Sequence, residues 1–151
     1  MSRSVVIFMG GLVLAITGSG CNDGAKQQAT AIKQVLAKDK QISDWMEAEV
    51  KKGTHAPTVV RMAVGRMRKI DLTRCPSGFQ QAYLKHVYAW SEMPPLLEKY
   101  DGVGGFFTSF LEGLTDRYDG DKEAKRIQKS IRETFLDVET VSLKYGVQQG
   151  H

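Results

Sequence analysis

Apolar residues recur along most of this chain at spacings of three and four, which is the period of one buried helix face. Ala25, Ala29, Ile32, Val35/Leu36, Ile42 and Trp45/Met46 form the first such stripe. Asp23 stands before it as a candidate cap, and Gly53 after Lys51-Lys52 reads as its end. Lys38-Asp39-Lys40 interrupts the stripe, so a kink or break is expected there. A second helix is expected from about Pro57, with Val60, Ala63/Val64, Met67 and Ile70 on its apolar face. Pro76 suits the first turn of a third, where a missing N–H costs nothing. That helix would carry Phe79, Ala82/Tyr83, His86, Ala89/Trp90 and Met93 on one face, until Pro94-Pro95 ends or bends it.

Residues 101–105 (DGVGG) read as a flexible link, and Phe106, Phe107, Phe110, Leu111 and Leu114 as a short apolar helix. Asp119-Gly120-Asp121 is a turn. The last stripe is the most regular: Ala124, Ile127, Ile131, Thr134/Phe135, Val138, Val141 and Tyr145, with Gly146 closing it. No alternating strand pattern of useful length is present. The expectation is all-α: a compact bundle of four or five helices over residues 25–147, followed by a disordered tail at 148–151.

The first twenty residues differ from this pattern. Arg3 is their one charge, Val5 to Ile16 is uninterrupted apolar sequence, and Thr17-Gly18-Ser19-Gly20 are small. A positive start, a short apolar core and a small-residue exit are the parts of a secretory signal peptide. The apolar run is shorter than the roughly 20 residues that span a bilayer. Residues 1–20 are therefore expected to be cleaved, with 21–24 as a short tether.

Gly20-Cys21 resembles the lipobox of bacterial lipoproteins. That resemblance implies acylation of Cys21, cleavage before it, and a membrane attachment through the lipid. Asn22, which is not Asp, implies sorting to the outer membrane, with the domain facing the periplasm. Gly18 departs from the family, which usually has Leu at that place. Gly18 and Gly20 also suit ordinary signal peptidase, and the product would then be soluble in the periplasm with a thiol at Cys21. A second resemblance rests on Ile70-Asp71, Cys75-Pro76, Phe79, Ala82-Tyr83, His86 and Ala89-Trp90, together with Ile131-Arg132, Thr134-Phe135, Val138-Glu139 and Tyr145-Gly146-Val147. These resemble an uncharacterised group of small exported helical bacterial proteins, over residues 70–147. The likeness implies the fold and the address, and supplies no catalytic residue.

Charge refines the picture. The whole chain carries 21 Lys and Arg against 17 Asp and Glu. Without Arg3 the mature balance is 20 − 17 = +3, too mild for a nucleic-acid binder. Lys51, Lys52, Arg61, Arg66, Arg68, Lys69 and Arg74 stand against one acid, Asp71, between residues 51 and 74. Arg61, Arg66, Arg68 and Lys69 are thus candidates for contact with an anionic lipid or cell-wall surface. The competing reading is a solvated helix side balanced by acids elsewhere.

Candidate chemistry is thin. His86 and Trp90 share a helix face and could line a cavity with Phe106 and Phe110, as in a carrier of a small molecule, lipid or haem. Met62, Met67 or Met93 could then complete a haem site, although the chain has no C-x-x-C-H. A core-edge histidine is the alternative, since no second His or paired Cys stands at metal spacing. Cys75, before Pro76 at an expected helix start, is a possible reactive thiol or a small buried residue. With Cys21 unmodified, a Cys21–Cys75 disulfide is open as well. No zinc-protease, serine-nucleophile or di-iron motif is present. The expectation is a non-enzymatic envelope lipoprotein without cofactor or metal, binding an envelope protein or cell-wall partner through its helical surface.

Overall fold

The computed structural model describes residues 20–100 and 121–148, with side chains from residue 23 onward. The expected signal peptide at 1–20, the 101–105 link, Phe106, Phe107 and Phe110 therefore lie outside the described residues, apart from Gly20. Among the described residues there are five α-helices and no strand: α1 (Gly20–Lys51), α2 (Ala56–Met67), α3 (Ser77–Ser91), α4 (Met93–Lys99) and α5 (Lys122–Lys144). The all-α bundle anticipated from periodicity is the fold.

α1 departs from expectation at two places. It begins at Gly20, so residues 21–24, read above as a tether, are its first turn. It also runs unbroken through Lys38-Asp39-Lys40. Asp39 keeps the helical spacing of Ile32, Val35, Leu36 and Met46, so it occupies a core position between two exposed lysines. A helix bends where its backbone bonds fail, not where one inward side chain is polar. Lys40–Asp44 and Lys51–Glu47 ion pairs brace the water side. Gly53 ends the helix with φ +85°, a left-handed turn that a side chain would strain.

Pro57 sits in the first turn of α2. Val59, Val60, Ala63, Val64 and Met67 form its buried face. Ile70, assigned to that face above, lies in the turn beyond the helix end. Pro76 precedes α3 as its N-cap. Pro94 and Pro95 do not simply stop α3: they open α4, where the first turn needs no backbone donors.

α3 and α5 are antiparallel. Glu92 meets Arg126 at one end, His86 meets Thr134 in the middle, and Gly78 faces Val141 at the other. Between α4 and α5, Asp121 is a shared anchor. Its Oδ1 accepts from the backbone N–H groups of Glu123 and Ala124, at 2.8 and 3.1 Å, capping α5. Its Oδ2 accepts from the Tyr100 hydroxyl and from Lys99 Nζ. The Tyr100 bond, then the cap, draw the carboxyl down to about 2. α2 packs against α1, α3 and α4, and a single apolar cluster runs through all five helices. Each large side chain taken out of water there contributes about 1.5–3 kcal/mol.

Candidate functional site

Helical spacing on α3 puts Phe79, Tyr83, His86 and Trp90 on its inner side. His86 faces α5. Its Nδ1 lies 3.1 Å from Thr134 Oγ1, and its Nε2 lies 3.1 Å from Trp90 Nε1. An indole N–H can only donate, so Nε2 must accept and carries no proton. The proton is on Nδ1 and is given to Thr134, whose own hydroxyl donates to the Ser130 carbonyl at 2.7 Å. The Phe135 ring lies 5.5 Å away, centroid to centroid. Burial pushes the imidazole down to about 4, and the Ile131 carbonyl offsets part of that. The ring is neutral at pH 7 with both nitrogens engaged. Ligating a metal or relaying a proton would require breaking one of those bonds. Of the methionines named as partners for it, Met62 is half exposed while Met67 and Met93 are buried.

A second polar contact crosses from α3 to α1. Tyr83 Oη donates to Asp39 Oδ1 at 2.6 Å, deep in the core. Burial raises the Asp39 carboxyl, and the Tyr83 bond pulls against the rise. The Tyr83 phenol is raised too, by burial first and by the carboxylate second. The sequence places Tyr83 on an apolar face and Asp39 in an expected break, and it does not pair them. The available cue was an acid at a stripe position, four residues after Val35 and three before Ile42.

Cys75 is buried. Burial and, after it, Asp71 push its thiol up, away from the thiolate needed for nucleophilic or redox chemistry. Cys21 lies in the first turn of α1. Its side chain, like Phe106 and Phe110, is outside the described residues. His86 and Trp90 are therefore brought together, and the rest of the anticipated cavity is not described.

The four basic candidates separate. Arg61 is bonded to Glu98 of α4. Arg68 is exposed. Arg66 and Lys69 line an open groove of about 330 Å³ with Ile70 and with Lys38, Gln41 and Ile42 of α1. The guanidinium of Arg66 lies 3.6 Å above the centroid of the Trp45 ring. Spacing alone assigns Trp45 to the first stripe and Lys38 to its interruption. It cannot join them and Gln41 to Arg66 and Lys69, because it does not say which helix packs beside which. Among the described residues, no group of three or more His, Cys, Asp or Glu side chains could hold a metal ion. No described helix is long and apolar enough to cross a membrane.

No family model, curated protein or solved structure matches this chain.

Proposed function

We propose that this chain is an exported helical domain, acylated at Cys21, that works in the cell envelope by binding at its surface and not by catalysis. One observation carries the reading: an export-type leader ending in Gly20-Cys21 precedes a domain whose buried Asp39 and His86 are already bonded to neighbouring side chains. Buried groups held for chemistry are typically poised near working pH. Here His86 is driven well below it and the Cys75 thiol upward, so both favour their neutral forms. The exposed groups of α1 and α2 are what the domain offers to a partner, with its outer-membrane face as the expected setting.

The start of α1 gives the reading a mechanical consequence. Cleavage before Cys21 would leave the acylated residue as the first of a helix that ends at Lys51. No extended linker would separate lipid from domain, and the orientation of α1 would set which surface faces the membrane. Two or more acyl chains would make the attachment durable, at about 0.8 kcal/mol per buried methylene.

The test is the intact mass of protein extracted from membranes of its native cells, with and without an inhibitor of lipoprotein signal peptidase. A species beginning at Cys21, heavier by its acyl chains and lost under the inhibitor, is expected. An unmodified species, or one that keeps residues 1–20 without the inhibitor, would overturn the anchor and leave a domain of another address.

A further inference from the structure

We propose that the groove between the middle of α1 and the end of α2 binds a phosphate-bearing anion. Lys38, Arg66 and Lys69 converge on it, Gln41 adds an amide, and Ile42 and Ile70 supply apolar surface. No carboxylate lines it. Four other cations on or beside these two helices are neutralised: Lys40 by Asp44, Lys51 by Glu47, Lys52 by Glu49 and Arg61 by Glu98. Among the described residues, Lys38, Arg66 and Lys69 make no salt bridge. Gathering three like charges in one groove is unfavourable, and an anion placed among them removes that repulsion.

The nearby acids are committed elsewhere. Glu49 accepts from Lys52 and Thr54, which lower its carboxyl, and Arg66 also helps to lower it. Asp71 accepts from the backbone N–H and the hydroxyl of Thr73, at 2.9 and 2.7 Å, and so closes its own turn. Those two bonds are the main reason its carboxyl sits low, with Lys38 and Arg74 contributing less.

Arg66 is held ready. Stacking on Trp45 occupies the face of the guanidinium and leaves its N–H fork in the plane. A fork beside two ammonium groups suits a tetrahedral anion with several acceptor oxygens and more than one charge. A lone carboxylate would satisfy it less well. The apolar residues give the ester-linked part of a ligand somewhere to lie, and the groove is at the small end of ligand-site volumes.

Soluble phosphate compounds and anionic lipid headgroups share this chemistry. Lys38 is 17 residues from Cys21, about 26 Å along α1. The reach of charge at physiological salt is about 8 Å. A headgroup therefore meets the groove only if α1 lies along the membrane, whereas a soluble ligand reaches it in any orientation. The inference stands whether or not Cys21 is acylated.

Pyrophosphate titrated into the purified chain, followed by Trp fluorescence and calorimetry, gives the first arm. Cosedimentation with phosphatidylglycerol vesicles, against phosphatidylcholine, gives the second. Saturable binding in at least one arm is expected, weakened about tenfold by Lys69→Gln, the loss of one charge-assisted contact. Arg66→Gln should weaken it at least as much. Arg132→Gln and Lys144→Gln, exposed on α5, should leave it within about twofold, since they remove charge without touching the groove. Binding in the first arm alone assigns a soluble ligand, and binding to vesicles assigns a headgroup. Absence of saturable binding in both arms overturns the proposal, as does equal weakening by the α5 variants. Lys69 is exposed, so its variant keeps the test valid even where Arg66→Gln disturbs the Trp45 stack.

Discussion

Tyr83 and His86 are three residues apart on α3, and each carries a polar group into the core. They reach in different directions and meet different fates. His86 turns to α5, where Thr134 accepts from one nitrogen and Trp90 donates to the other. The neutral ring is matched on both sides, so a proton would have to displace the Trp90 bond. Tyr83 turns to α1 and donates to Asp39, an acid that burial alone would protonate. The difference teaches that burial has opposite effects on a base and an acid. Desolvation disfavours the charged form of each, lowering the His86 pKa and raising that of Asp39. The two sites therefore load the fold against pH in opposite senses.

The largest expected effect comes from Tyr83→Ala. It opens a cavity beside Phe79, whose ring stacks on Tyr83 at 6.1 Å, and removes the donor to Asp39. A loss of about 3–5 kcal/mol is expected in urea melts. Tyr83→Phe keeps the ring and should cost about 1–3 kcal/mol, the penalty of an abandoned buried acceptor. Equal losses for the two variants would show that the hydroxyl, not the ring, carries the site.

Next is acid. The folded His86 is depressed to about 4 from an ordinary 6.5. Its contribution is present above 6.5 and is lost as pH falls from 6.5 toward 4. At 1.36 kcal/mol per unit the full swing is about 3 kcal/mol. Stability lost between pH 7 and pH 4 should thus be about 3 kcal/mol smaller in His86→Gln than in the parent. Parallel pH profiles for the two would place the acid sensitivity elsewhere.

Asp39 gives the smallest effect and the opposite sign. Its folded pKa is raised, so its favourable contribution is complete below 3.8 and is lost as pH rises through the folded value. Asp39→Asn keeps an acceptor for Tyr83 without the charge. It should raise stability at pH 7 by less than the changes above, since it removes the desolvated charge and keeps the bond to Tyr83. A destabilised Asn variant would mean that the ionised carboxylate is what Tyr83 needs.

These two sites also mark how far the sequence could be followed. The helix stripes, the turn at Gly53, the stop at Gly146 and the all-α class follow from spacing, because 3.6-residue periodicity is a local property. His86, Trp90 and Thr134 could be placed on inner faces for the same reason. The Asp39–Tyr83 bond could not, since it joins residues 44 positions apart and depends on which helices pack together. Three charges in a row suggest solvent, which is why Lys38-Asp39-Lys40 reads as a break. The structure splits them, two outward and one inward. The basic stretch was visible as composition, but only packing separates Arg61, paired with Glu98, from Arg66 and Lys69 in the groove.

The proposed surface function rests on an interior whose polar groups are already engaged, and His86 is where that proposal is most exposed. The direct measurement is the ¹⁵N NMR of its ring nitrogens in the intact chain, followed from pH 7.5 downward. The account requires a neutral ring protonated on Nδ1, with Nε2 accepting from Trp90, and a titration midpoint near 4. A ring protonated on Nε2, or a midpoint near the ordinary 6.5, would contradict it and reopen His86 and Trp90 as the wall of a ligand cavity.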